Sequence, residues 1–102
     1  MKYLTTERFL GDYARLSGRE DALFAGVVRR INTSFAASHG RWPPSWPAAL
    51  RIKPVQGATG VWELTWSFSG PDGRATFEFV TVDAEPAIRW RRIGGHEIFR
   101  EP

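Results

Sequence analysis

The stretch Gly60–Phe99, GVWELTWSFSGPDGRATFEFVTVDAEPAIRWRRIGGHEIF, decides the fold of this chain. Read with a period of two, it is three short strands ending at a histidine. The first, Val61–Phe68, puts Trp62, Leu64, Trp66 and Phe68 on one face and Glu63, Thr65 and Ser67 on the other. The second, Arg74–Val82, separates Ala75, Phe77 and Phe79 from Arg74, Thr76 and Glu78. The third, Ala87–Ile93, sends Ile88 and Trp90 one way and Arg89 and Arg91 the other. One sheet face is therefore aromatic and needs a cover from elsewhere in the chain. The opposite face collects arginines, glutamates and threonines, with His96 directly after it. Such a face suits holding and cleaving a phosphodiester; it equally suits the ordinary solvated side of an antiparallel sheet.

The cover lies upstream. Lys2–Leu4 reads as a short edge strand. Thr5 or Thr6 then offers a hydroxyl N-cap to a helix running to about Leu16, with Phe9, Leu10, Tyr13 and Leu16 on one stripe. Ser17 and Glu20 form a capping-box pair, and Leu23, Phe24, Val27, Ile31 and Phe35 recur behind it at helical steps. Two amphipathic helices joined at Ser17-Gly18 make a hairpin whose apolar side fits an aromatic sheet face. From Ser38 to Ala49 the prolines exclude helix and inner strand, and Trp42 and Trp46 read as anchors for the loop. Leu50–Pro54 is extended, 56–60 is a turn, and 69–73 and 81–86 reverse the chain between strands. The expected fold is α+β: a short N-terminal strand and a helical hairpin packed on a three- to four-stranded antiparallel sheet.

At 102 residues the chain suits a single domain over 1–102 with one modest core. It has no cysteine, so disulfides and thiolate metal sites are excluded. The first residues lack the apolar run of a signal peptide, and nothing reaches the length of a membrane span. A soluble, cytoplasmic protein is expected. The formal charge is +3, small enough to suit nucleic acid or an acidic protein without requiring either. No Gly-rich phosphate loop, paired-histidine metal motif or nucleophile elbow occurs, so no cofactor is expected.

The order of elements, the Lys53-x-x-x-Gly57 turn and the segments "VWEL…GRATFEFV…IRWRRIGGHEIF" together resemble the RelE/ParE superfamily of bacterial toxin–antitoxin toxins. That superfamily contains ribosome-dependent messenger-RNA endonucleases, gyrase poisons and members without known activity. The resemblance implies a cytoplasmic mRNA interferase whose partners are mRNA, the ribosome and a small acidic antitoxin. It places Lys53, with Arg51 beside it, where the ribonucleases keep basic residues that contact RNA. Arg74 falls at their phosphate-binding arginine, and His96 at a C-terminal arginine or histidine. Two positions differ. Phe99 stands where several active members carry a tyrosine, and Leu50 and Arg51 stand where some carry a glutamate.

The residues themselves suggest roles for metal-free RNA cleavage, which needs a base, cations for the phosphorane and an acid for the leaving oxygen. His96 is the near-neutral acid. Arg74 and Arg91 can meet a phosphate from neighbouring strands, or instead pair across the sheet with Glu63 and Glu78. Glu63, Glu78 or Lys53 remains open as the base. Arg89, Arg91 and Arg92 form a basic cluster for RNA or for an acidic antitoxin, or a plain solvated face. The residues after His96 are expected to have little packing beyond them.

Overall fold

Helix formation starts at hydroxyls. In the computed structural model, which describes residues 1–67 and 73–102, Thr6 accepts the amide of Phe9 and caps α1 (Glu7–Tyr13). Ser17 and Glu20 form the complete capping box that opens α2 (Gly18–Ala37). The first helix stops at Tyr13, earlier than the expected Leu16, and residues 14–16 turn through bonds to Leu10, Asp12 and Tyr13. Its inward residues are Phe9 and Asp12, whereas Leu10 points outward and is exposed.

The strands are β1 (Lys2–Thr5), β2 (Lys53–Pro54), β3 (Trp62–Ser67), β4 (Gly73–Val82) and β5 (Glu85–Gly94). They form one sheet in the order β1-β5-β4-β3-β2. The four strands β2 to β5 are antiparallel, as expected, and the expected N-terminal edge strand β1 joins them parallel to β5, which makes the sheet mixed. Short 3-10 turns at Ala48–Leu50 and His96–Arg100 flank it. Phe68 and most of the expected hairpin turn at 69–73 lie outside the described residues. Between β4 and β5, Val82 faces Glu85, and the two turn residues Asp83 and Ala84 both have positive φ.

The core forms where the helices meet the aromatic face. Phe9, Phe24, Val27 and Ile31 pack on Leu64, Trp66, Ala75, Phe77, Ile88, Trp90 and Ile93. Trp90 sits at its centre, 5.0 Å from Phe24, 5.4 Å from Phe77 and 6.0 Å from Phe9 between ring centroids. Burial of these rings is the main stabilising contribution, since a large side chain removed from water contributes about 1.5–3 kcal/mol. Trp62 and Phe79 lie at the margin of the same face, half-buried and 5.3 Å apart.

One irregularity resets the third strand. Thr76 faces Arg92 but Phe77 faces Trp90, so Arg91 is the extra residue of a bulge. Strict alternation would place Ile93 with Arg91 on the polar face. The bulge instead sets Ile93 opposite Ala75, in the core. The start of α1 is tied to this point: the Thr6 amide bonds the Trp90 carbonyl and its hydroxyl bonds that of Arg91.

Candidate functional site

The sheet face turned away from the helices carries the sequence-predicted residues, and the register orders them. One row across the sheet runs Lys53, Glu63, Thr76, Arg92. The next runs Thr65, Arg74, Gly94. On the other side of the first row, Glu78 faces Arg89. His96 lies two residues beyond Gly94, so it begins at the Arg74 end of the sheet. It is exposed, and its ring stands edge-on to Phe99 at 5.7 Å. Lys53 is exposed on the short strand β2, next to Glu63. Arg51 is exposed in a left-handed conformation just before it, at the end of the 3-10 turn Ala48–Leu50.

The three arginines of β5 are engaged within the chain. Arg89 Nε and Arg91 Nη1 each donate to Glu78 at 2.7 Å, on different carboxylate oxygens. Burial pushes the Glu78 carboxyl up, but the bonds and charges of Arg89 and Arg91 outweigh it and hold the group below its usual range. Glu78 is consequently an ion-paired acceptor, and of the pairings considered from the sequence this is the cross-strand one. Arg92 donates to Asp12 through Nε at 2.6 Å and Nη2 at 3.2 Å. That bond raises the Arg92 pKa, against the opposing effect of its burial.

Asp12 is the residue the sequence reading missed. Its buried carboxylate also accepts the Ile93 amide at 3.2 Å, so a single side chain of α1 clasps the end of β5. The signal was present: Asp12 lies three positions after Phe9, hence on the inward stripe of the helix. Around it opens a cleft of about 530 Å³ between the α1–α2 turn and the sheet's end, lined among others by Arg19, Ser67, Arg92, Gly95 and Glu97. Glu97 accepts the Gly95 amide, and this bond first, then its own amide, holds its carboxyl low.

The residues after His96 are not loosely packed, contrary to the sequence expectation. Ile98 is fully buried, and the Thr76 hydroxyl and Arg91 Nε donate to the Pro102 carbonyl at 2.9 and 3.1 Å. Arg92 Nη1 donates to the Glu101 carbonyl, and Arg8 pairs with the Glu101 carboxylate at 2.6 Å. The physical reason is the composition of the face itself: β-strand hydroxyls and guanidinium groups offer donors that passing carbonyls satisfy. The polar face is thus partly covered, with Thr65 and Thr76 buried. Lys53, Arg51 and His96 are exposed.

Two solved structures share this architecture. A YoeB/ParE toxin from Agrobacterium tumefaciens matches with a TM-score of 0.65 and 15% identity, over 94% of this chain and 99% of the other. A RelB-RelE antitoxin-toxin complex from Methanococcus jannaschii matches with a TM-score of 0.60 and 15% identity, over 96% of this chain and 95% of the other. No protein-family model and no curated protein matches the chain. The sequence identity is low and the structural likeness spans nearly the whole chain; what it shows is a RelE/ParE-like fold.

Proposed function

We propose that this chain is the toxin of a toxin–antitoxin pair and a metal-independent endoribonuclease that cuts mRNA on the ribosome. The observation that supports the reading is the alignment of Lys53 with Glu63 and of Arg74 with Gly94, two residues before His96, on a RelE/ParE-like fold. In this reading the RNA 2′-oxygen attacks the adjacent phosphorus and the bond to the 5′-oxygen breaks. Arg74 stabilises the charge of the phosphorane, and His96 gives its proton to the leaving 5′-oxygen. Glu63 or Lys53, neighbours across β2 and β3, takes the 2′-proton. Glu78 is the weaker candidate for that step, because its two oxygens already accept from Arg89 and Arg91. Arg51 supplies a phosphate contact, and Arg89, Arg91 and Arg92 do so where RNA draws them from their present partners.

The partner of this reading is a small acidic antitoxin that meets the basic strand β5, as the solved RelE is paired with its antitoxin RelB. Reversing the charge of Arg91 and Arg92 then slows association and weakens recovery of the partner from the native host. A second reading has its own support: Phe99 has no hydroxyl, and the arginines of β5 are held by Glu78 and Asp12. It makes the chain a non-catalytic toxin that binds DNA gyrase. Expression in a bacterium without the antitoxin separates the two. The ribonuclease arrests growth, and the double variant Arg74→Ala/His96→Ala restores it. A gyrase binder arrests growth with or without those two side chains. Harmless wild-type protein contradicts both and leaves a relative that binds without acting.

A further inference from the structure

The sequence has no Asp or Glu between Asp21 and Glu63, and in that interval it carries Arg29, Arg30, Arg41, Arg51 and Lys53. Near the middle of this interval, a cleft of about 630 Å³ opens between the last turns of α2 and the loop after it. Its walls hold the hydroxyls of Thr33, Ser34, Ser38 and Ser45, together with His39 and Arg41, and no carboxylate. The end of a helix would ordinarily repel an anion, but here the Phe35 carbonyl already accepts both the amide and the hydroxyl of Ser38. Arg41 has no carboxylate partner among the described residues.

Next to Arg41 stands Trp42, a large aromatic side chain left 38% exposed. Its ring is held from three sides, 6.2 Å from Phe35, 5.3 Å from Phe79 and 6.4 Å from Trp46. All three neighbours stand nearly perpendicular to it, at 73° to 86°. Among the described residues no ring lies parallel on Trp42, and more than a third of its surface stays open to solvent. Phe79 and Trp46, by contrast, are already stacked on each other at 4°.

We propose that Trp42 and the adjacent cleft form a nucleotide-binding platform for single-stranded RNA, outside the candidate cutting site. A base stacks on the Trp42 ring, the phosphate beside it meets the Arg41 guanidinium, and the serine and threonine hydroxyls face the sugar. This inference rests on the reading that the chain acts on RNA, and adds a second point of attachment to it. A single-stranded nucleic acid is the occupant that uses both features. An acidic peptide would use the positive charge and the missing carboxylates, but its carboxylates would make no use of the indole face, whereas every base of a nucleic acid has a flat face to stack there.

The test is fluorescence anisotropy with a labelled, uncleavable 2′-O-methyl oligoadenylate, titrated at low and moderate salt with the full chain. Trp42→Leu is expected to weaken binding about tenfold or more, as loss of one base–aromatic stack does. Trp42→Phe should recover most of that loss. Arg41→Ala should weaken binding and reduce the salt slope by about one. Lys2→Ala, on the edge strand β1 and outside both the cleft and the candidate cutting site, should bind like the wild type. No binding at low salt overturns the proposal, as does wild-type affinity in a Trp42→Leu protein with native circular dichroism. Displacement of the RNA by polyglutamate of matched charge as readily as by unlabelled RNA also overturns it. If Trp42→Leu does not fold, the Trp42→Phe and Arg41→Ala arms decide. Transcripts left intact in cells, with the oligonucleotide still held through Trp42, would sink the cutting reading alone.

Discussion

At the scale of single residues, two positions carry costs or gains that can be read directly. Ala84 sits at φ 63° in the two-residue turn between β4 and β5, a left-handed conformation in which its methyl group is strained. Ala84→Gly should raise stability by about 0.5–1 kcal/mol, seen as a higher urea midpoint at unchanged slope. Glu78 gives a pH-dependent case. Its folded-state pKa lies below the ordinary carboxylate value of about 4.3. Its stabilisation is therefore complete above that value and is lost as the pH falls through the lower folded one. The stability gap between wild type and Glu78→Gln should be constant near neutrality and close in acid. A gap that widens on acidification would mean that Arg89 and Arg91 do not hold Glu78 in its charged form.

At the scale of elements, packing against β3 and the ends of the helices sets the limits. A methyl group on Gly73 would run into the Trp66 ring, whose indole nitrogen is fixed by the Arg74 carbonyl. Gly73→Ala should cost about 1–3 kcal/mol, because a buried ring held through its nitrogen cannot shift without disturbing the core. Ser17→Ala removes half of the capping box and should cost about 1 kcal/mol, a fall of about 4–8 °C in melting temperature for a domain of this size. These elements were legible because each has a local signature: a hydroxyl three residues before a glutamate, or aromatic residues alternating with polar ones. The parallel pairing of β1 with β5 was not, since four residues carry no mark of which strand they will join. The bulge at Arg91 was hidden for a related reason. A period of two cannot announce its own interruption, and only the pairing of Phe77 with Trp90 reveals it. Leu10 misled because α1 is two turns long and its inward stripe is shared with Asp12, a polar residue satisfied by Arg92.

At the scale of the whole molecule, the candidate site lies where one sheet face escapes its cover. The sequence put Glu63, Arg74, Arg89 and Arg91 on that face; the register sets Glu63 beside Lys53, Arg74 beside Thr65 and Arg89 beside Glu78, and the bulge at Arg91 adds Arg92. It could not show that residues 96–102 fold back across it, because a five-residue 3-10 turn has no periodic pattern to read. Pairing of β5 arginines with Glu78 was one of the alternatives open from the sequence, whereas the claim of Asp12 on Arg92 was not visible in it. These ion pairs bind α1, β4 and β5 into one unit, so Asp12→Ala, which leaves Arg92 with a backbone partner only, should cost about 2–4 kcal/mol in chemical denaturation. What remains exposed is Arg51, Lys53 and His96, the proposed margin of the site. The most direct measurement of whether this margin cuts RNA is to map transcript 5′ ends in cells shortly after induction of the chain without its antitoxin. The account predicts new 5′ ends within translated regions, lost when translation is blocked beforehand and absent with Arg74→Ala/His96→Ala. Intact transcripts accompanied by breaks in chromosomal DNA would contradict it.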